Sequence, residues 1–162
     1  MYGTFLLKIL LNKEKNKPLK RIITIIDSTE KFKQLIALRT KVDKAAYAMY
    51  VRMAIQMDTY GVPLEILLEA LDGLKQEDLM SKKELKKFRL MPDMITIYRG
   101  TDAGEYPPRI SWSLLEGKAR IFAHGQMYKA VISKRDIYAY FCENSDEEEI
   151  IAHVTNNYED IF

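Results

Sequence analysis

The hydrophobic pattern of this chain changes at Met91-Pro92-Asp93, and this change constrains the fold more than any other feature. Before it, apolar residues recur with the three- and four-residue spacing of amphipathic helices. After it, short β-branched and aromatic runs are separated by Gly, Pro and Asp, which is typical of strands and turns. The length of 162 residues suits one domain, or one domain with a small added lobe. We therefore predict an α+β protein, with a helical N-terminal lobe over residues 1–90 and a second lobe over residues 91–162.

A helix start is predicted at Asp27, whose side chain can cap backbone amides and which is followed by Glu30 three residues later. Apolar residues then recur on one helical stripe from Phe32 to Ile55. Gly61-Val62-Pro63 predicts the end of that stretch. Further helices are expected over residues 64–71 and 82–89.

Two apolar segments near the N-terminus are ambiguous. Residues 4–11 are far shorter than the roughly 20 residues of a bilayer span and contain Lys8, so we expect a core helix or strand rather than a membrane span or signal peptide. Residues 18–26 fit either a strand or a buried helix. We favour a helix because Pro18 can open one.

Short elements are predicted for the second lobe, because its apolar runs are brief and turn residues lie between them. Tyr138 and Tyr140 alternate with Ile137 and Ala139, a pattern that is typical of one solvated face of a strand. Four strands are expected over residues 94–98, 128–132, 137–141 and 148–154, with a loop over residues 104–109 and a helix over residues 114–124.

Charge and cysteine content narrow the function classes. The net charge is only +2, so the chain as a whole lacks the large positive charge that would indicate binding to nucleic acid or to an anionic membrane. Residues 1–90 nevertheless carry +7 and residues 91–162 carry −5. Cys142 is the only cysteine, which excludes an intrachain disulfide and favours a reducing cytoplasm. His124 and His153 lack neighbouring ligands at useful spacing, so we expect no metal.

Three short motifs of the second lobe carry candidate chemistry. Arg99, at a strand end and followed by Gly100, suits bidentate contact with phosphate or carboxylate, although such arginines also form surface salt bridges. The hydroxyls of Ser111-Trp112-Ser113 can cap the following helix or orient a carboxylate. Glu147-Glu148-Glu149 is typical of a solvated acidic turn, but on a strand Glu147 and Glu149 would share one face.

In this order, the three motifs resemble those of the Arg-Ser-Glu class of ADP-ribosyltransferases. The resemblance covers about residues 94–154 and implies a split β-sandwich of short strands with NAD as donor substrate. Two features depart from the family pattern: Trp112 stands where a small residue is usual, and the recognition loop, about residues 142–146, is very short. These departures bear on substrate choice more than on fold.

The resemblance also implies roles for individual residues. Glu149 would stabilise the positive charge that develops on the ribose, and Ser111 would hold Glu149 by a hydrogen bond. Glu147 would orient or deprotonate the acceptor, for which arginine is favoured. Arg99 would pair with the phosphates of NAD. The remaining residues expected at the NAD site are Gly100, through its backbone, Ser113, and the aromatic Trp112 and Phe122, of which Phe122 fits the core equally well.

The predicted function is mono-ADP-ribosylation of a protein by a cytoplasmic bacterial toxin or phage effector. The implied partners are NAD, an unidentified macromolecular acceptor, and an antitoxin or immunity protein, and no membrane is implied. The helical lobe would cover one side of the NAD cleft, with its +7 charge either attracting the anionic donor or simply solvated. Two alternatives stay open: an inactive binding or inhibitor protein on the same fold, and transfer of ADP-ribose to nucleic acid or water.

Overall fold

The computed structural model of the protein describes residues 17–57, 59, 61–103, 109–143 and 148–161. The chain divides into two units between Leu74 and Lys75. The apolar run at residues 4–11, residues 104–108 of the expected loop, and Glu147 lie outside the described residues.

The first unit contains helices, as the 3.6-residue periodicity predicts. They are α1 (Lys17–Ile22), α2 (Ser28–Leu38), α3 (Lys44–Met57) and α4 (Leu64–Leu71). Asp27 caps α2 as predicted, because its side chain accepts a hydrogen bond from the backbone nitrogen of Glu30 at 2.7 Å. The stripe from Phe32 to Ile55 is divided between α2 and α3. The helix predicted over residues 18–26 is present but ends at Ile22.

A buried tyrosine links two of these helices. Tyr47 of α3 is only 1% exposed, and its hydroxyl donates a hydrogen bond to the backbone oxygen of Ala70 in α4 at 2.9 Å. Phe32, Leu35 and Leu67 are buried in the same unit. The apolar stripes therefore form a core, and the polar end of Tyr47 is satisfied inside it.

The second unit is mixed. Its helices are α5 (Gln76–Leu79), α6 (Lys82–Arg89) and α7 (Glu116–Ile121), and its strands are β1 (Met94–Asp102), β2 (Ser111–Ser113), β3 (Gly125–Ser133), β4 (Ile137–Phe141), β5 (Glu149–Ala152) and β6 (Tyr158–Asp160), with one 3-10 turn at Lys134–Asp136. All strand pairs among the described residues are antiparallel, in the order β4-β5-β2-β1-β3-β6. The α+β class is confirmed.

The sheet places three distant segments side by side. Ser113 of β2 lies opposite Glu149 of β5 on one side and opposite Tyr98 of β1 on the other. β4 has the predicted bounds, whereas β1 extends four residues further, to Asp102. β5 and α7 are shorter than predicted, β3 is longer, and β2 and β6 were not predicted as strands.

Residues 75–90 lie in the second unit rather than with the helical lobe. Gln76 donates from Nε2 to the backbone oxygens of Lys134 and Ile137, at 3.2 and 2.8 Å. The ring of Phe88 in α6 stacks on Tyr140 of β4, with 6.5 Å between centroids. The change at Pro92 therefore marks a change of secondary structure and not the unit boundary, because periodicity reveals a helix but not the core against which it packs.

No helix in the described part of the chain combines the length and apolar character needed to cross a bilayer.

Alkaline pH is expected to destabilise the first unit through Tyr47. Burial raises the pKa of Tyr47 to about 12, above the value of about 10 expected in an unfolded chain. Its protonated form therefore adds stability below about pH 10, and this contribution is lost as the pH rises from about 10 to 12. In urea unfolding, the free energy of unfolding should fall more steeply over this range for the native chain than for Tyr47→Phe. Equal slopes for the two proteins would contradict this assignment.

Candidate functional site

The central contact of the candidate site joins β2 and β5. Ser111 donates a hydrogen bond from Oγ to Oε1 of Glu149 at 2.5 Å. The two residues are 38 positions apart in sequence and are brought together by the antiparallel register that sets Ser111 opposite Ile151 and Ser113 opposite Glu149. Both side chains are half-buried. The contact implied by the family resemblance is therefore present, and it fixes one oxygen of the carboxylate.

Arg99 contacts this pair through the backbone oxygen of Ser111. Its Nη1 donates to the backbone oxygen of Ser111 at 2.5 Å, across the boundary between β1 and β2. Because Tyr98 lies opposite Ser113, strand alternation turns Arg99 to the other sheet face from the two serines. The guanidinium thus holds the strand that carries Ser111, a contact that the sequence did not predict.

Gly100 is required by the packing of α7 on β1. A Cβ at this position would overlap the backbone oxygen of Ala119 and come within 2.5 Å of the backbone nitrogen of Ala123. A glycine removes this conflict because it has no side chain. The residue that the resemblance assigns to a ligand thus has an intramolecular reason to be glycine.

The serines of the Ser-Trp-Ser motif have different partners. Ser113 accepts a hydrogen bond from the backbone nitrogen of Leu115 at 3.0 Å, in the turn that precedes α7. Ser111 instead holds Glu149. The orientation of a carboxylate therefore applies to Ser111, whereas the predicted helix cap is absent, because α7 begins after Leu115 without a side-chain capping hydrogen bond.

The stacking role predicted for Trp112 does not agree with its burial. Trp112 is only 2% exposed and lies opposite Ile150 of β5. Alternation along β2 turns the middle residue of the motif away from the face of the two serines. Its ring therefore packs in the core and presents no open face to a ligand.

Phe122, by contrast, lies at the surface. It follows α7 directly and is 50% exposed, so the core alternative considered for it is wrong. Leu115 and Ile121, at the two ends of α7, are 40% and 64% exposed. An exposed aromatic ring at the end of a helix packed on β1 is suited to stacking on a planar ring.

Glu147, which was expected on the same face as Glu149, lies outside the described residues. β5 begins at Glu149, and Glu148 before it has a φ of 47°, in the left-handed region. Glu148 is a residue that the sequence reasoning missed. Its carboxylate accepts a hydrogen bond from the Tyr140 hydroxyl at 3.2 Å, and no sequence signal marks a left-handed glutamate.

The histidines form no metal site among the described residues, which contain no group of three potential metal ligands. His124 lies with Nδ1 3.2 Å from Oδ1 of Asp102, and both side chains are mostly exposed. His153 is half-buried. An open depression lies in the first unit, between α1 and α2, and none of the predicted site residues lines it.

Comparison with protein-family models, with curated proteins and with solved structures finds no match to this chain. Functional inference therefore depends on the geometry of the described residues and on the motif resemblance.

Two glycine substitutions should have opposite effects on stability. Gly100→Ala should lower the free energy of unfolding by about 1–3 kcal/mol or more, because the new methyl group meets the backbone of α7. Gly117→Ala is the matched control inside α7, where a Cβ meets nothing within 4 Å. It should raise stability by about 0.4–1 kcal/mol. Urea unfolding of both variants tests this, and a Gly100→Ala protein as stable as the native chain would contradict it.

Proposed function

We propose that the chain is an NAD-dependent mono-ADP-ribosyltransferase that modifies a protein side chain, with arginine the favoured acceptor. One observation carries the proposal: Ser111 Oγ is hydrogen-bonded to Glu149 Oε1 at 2.5 Å, with Arg99 bonded to the backbone of the same serine. The three residues lie on β1, β2 and β5, which are neighbours in the sheet. This arrangement holds a carboxylate in place on β5 and a positive charge on β1, and both contact the same serine, one through its hydroxyl and the other through its backbone oxygen.

Glu149 suits the electrostatic demand of NAD cleavage. Breaking the bond between nicotinamide and ribose develops positive charge on the sugar, which a nearby carboxylate stabilises, as in glycoside hydrolysis. Such stabilisation is most effective when the charged group is held before the reaction begins. Ser111 provides that restraint, because its hydrogen bond orients the Glu149 carboxylate in the resting protein.

Donor binding is assigned to residues on β1 and at the end of α7. Arg99 brings positive charge to the β1–β2 junction, which favours the anionic phosphates of NAD. Phe122 exposes an aromatic ring for stacking, and the main chain at Gly100 lies on the same strand as Arg99. We do not include Trp112 among the stacking residues, because it is buried.

Transfer of ADP-ribose from NAD to an arginine side chain needs no reactant other than these two. The bond from the ribose carbon to the nicotinamide nitrogen breaks, a bond from that carbon to a guanidinium nitrogen of the acceptor forms, and one proton is released. By the family resemblance, Glu147 receives that proton or orients the acceptor. The proposed setting is the bacterial cytoplasm, where the protein acts as a toxin or phage effector, with an antitoxin or immunity protein as a possible further partner.

Labelled NAD tests the proposal directly. The purified chain is incubated with NAD labelled in the adenylate part, with and without bacterial lysate, and both nicotinamide release and labelled macromolecules are measured. Protein labelling that is lost in Glu149→Gln supports the transferase. Labelled nucleic acid, or nicotinamide release without labelling, would replace protein by another acceptor. No release, no labelling and no NAD binding would favour the inactive binding protein.

Replacement of Glu149 should affect the chemical step. Glu149→Gln should lower the rate of NAD cleavage by ~10² to 10³, because the amide cannot stabilise developing positive charge. Ser111→Ala should lower it by roughly tenfold, since the carboxylate loses a charge-assisted hydrogen bond. Nicotinamide release under saturating NAD measures both rates. A loss of tenfold or less in Glu149→Gln would remove Glu149 from this role.

Replacement of Arg99 should mainly affect binding. Arg99→Ala should weaken NAD binding by about 10- to 100-fold, because a charged donor near the phosphates is lost. Arg89→Ala, which removes an exposed arginine of α6, is the matched control and should leave the affinity unchanged. Calorimetric titration with NAD measures both values, and thermal unfolding checks that each variant is folded. Native affinity in Arg99→Ala would exclude Arg99 from the site.

A further inference from the structure

Glu148 has a backbone conformation that L-amino acids seldom adopt. Among the described non-glycine residues it is the one with positive φ, at 47°. Conformations of this kind are strained, and they persist where surrounding contacts enforce them. Glu148 directly precedes Glu149, the first residue of β5.

Two hydrogen bonds hold Glu148 in this conformation. The hydroxyl of Tyr140 donates to its Oε1 at 3.2 Å, and the backbone nitrogen of Leu114 donates to its backbone oxygen at 3.1 Å. Tyr140 lies on β4 and Leu114 directly follows β2, so both strands that flank β5 take part. The chain is thus restrained on both sides at the point where it enters β5.

Tyr140 is itself held in place. It is 1% exposed, and its ring stacks on Phe88 of α6. Burial, together with the neighbouring Cys142 thiol and Glu148 carboxylate, raises the pKa of Tyr140, so the hydroxyl stays protonated and remains a donor at neutral pH. The fully buried Glu84 of α6 accepts a hydrogen bond from the backbone nitrogen of Cys142 at 3.1 Å. The end of β4 is therefore fixed from the helical side.

We propose that Tyr140 is a positioning residue of the candidate site: its hydroxyl holds Glu148 in the left-handed conformation, which sets how Glu149 enters β5 and presents its carboxylate to Ser111. This inference rests on the proposed function, because it assigns Tyr140 a role in the cleavage of NAD. Tyr140 acts through Glu148 and does not touch the reacting atoms.

A positioning role and a purely structural role differ in what they change. If the Tyr140–Glu148 contact orients Glu149, its loss misplaces the carboxylate during bond cleavage and lowers kcat. The residues assigned to NAD binding, Arg99 and Phe122, keep their places, so KM for NAD is unaffected. A merely structural contact would change thermal stability without this separation of kcat from KM.

The principal test uses Tyr140→Phe, which removes the hydroxyl and retains the ring that stacks on Phe88. The expected result is a fall in kcat of about tenfold, the size of one lost hydrogen bond, with KM for NAD changed by less than about twofold. Tyr138→Phe is the matched control, because it removes a hydroxyl from the same strand without touching Glu148. It should keep native kcat and KM.

Substitutions at Glu148 give a second, independent measurement. Glu148→Gln keeps an oxygen that can accept from Tyr140 and should retain kcat within about twofold. Glu148→Ala removes the acceptor and should reproduce the loss seen in Tyr140→Phe. Combining Tyr140→Phe with Glu148→Ala should cause no further loss, because both changes remove one interaction. Should Tyr140→Phe fail to fold, Glu148→Ala and Glu148→Gln provide the comparison.

Failure of this inference is distinguishable from failure of the proposed function. If the native chain cleaves NAD and Tyr140→Phe or Glu148→Ala keeps full kcat, the positioning role is wrong and the proposed function stands. Losses that add in the double variant would also overturn it. If the native chain neither binds nor cleaves NAD, the proposed function fails, and this inference fails with it.

Discussion

The antiparallel pairing of β2 with β5 is the interaction on which the candidate site depends. It places Ser113 opposite Glu149 and so brings Ser111 within hydrogen-bond distance of the carboxylate. β5 also pairs with β4 through Phe141, so Glu149 has a hydrogen-bonded strand on each side. A strand held on both edges cannot change register without losing two ladders, and a shift by one residue would turn Glu149 to the other face. The position of the carboxylate is therefore set by the sheet and refined by Ser111.

A buried carboxylate connects the helices of the second unit to this sheet. Glu84 is 0% exposed, and both its oxygens are used: Oε2 accepts from the backbone nitrogen of Ser81 at the start of α6, and Oε1 accepts from Cys142 after β4. A buried carboxyl group is stable in such a place only when its oxygens are hydrogen-bonded. Because one of these bonds caps a helix and the other reaches the sheet, α6 and β4 are fixed together. This explains why residues 75–90 belong with the sheet although their sequence resembles that of the preceding helices.

The sequence predicted features that depend on near neighbours along the chain. The bounds of α6 and β4, and the cap at Asp27, follow from periodicity and from a side chain three residues from its partner. Features that depend on tertiary contacts were not predicted. The left-handed Glu148 is stabilised by Tyr140 and Leu114, which lie on other segments, and β6 exists because it pairs with β3. The pairing of Ser111 with Glu149 was expected from the family resemblance alone, since spacing along the chain contains no information on strand order.

The residues of the three motifs differ in how far the fold itself explains them. Gly100 leaves room for the backbone of α7, Ser113 accepts a hydrogen bond in the turn before α7, and Trp112 is buried in the core. A catalytically inactive protein would therefore retain these three residues for stability. Ser111 and Glu149 are different, because their hydrogen bond neither caps a helix nor fills the core. Their hydrogen bond instead links β5 to β2, and this is the contact that the proposed function uses.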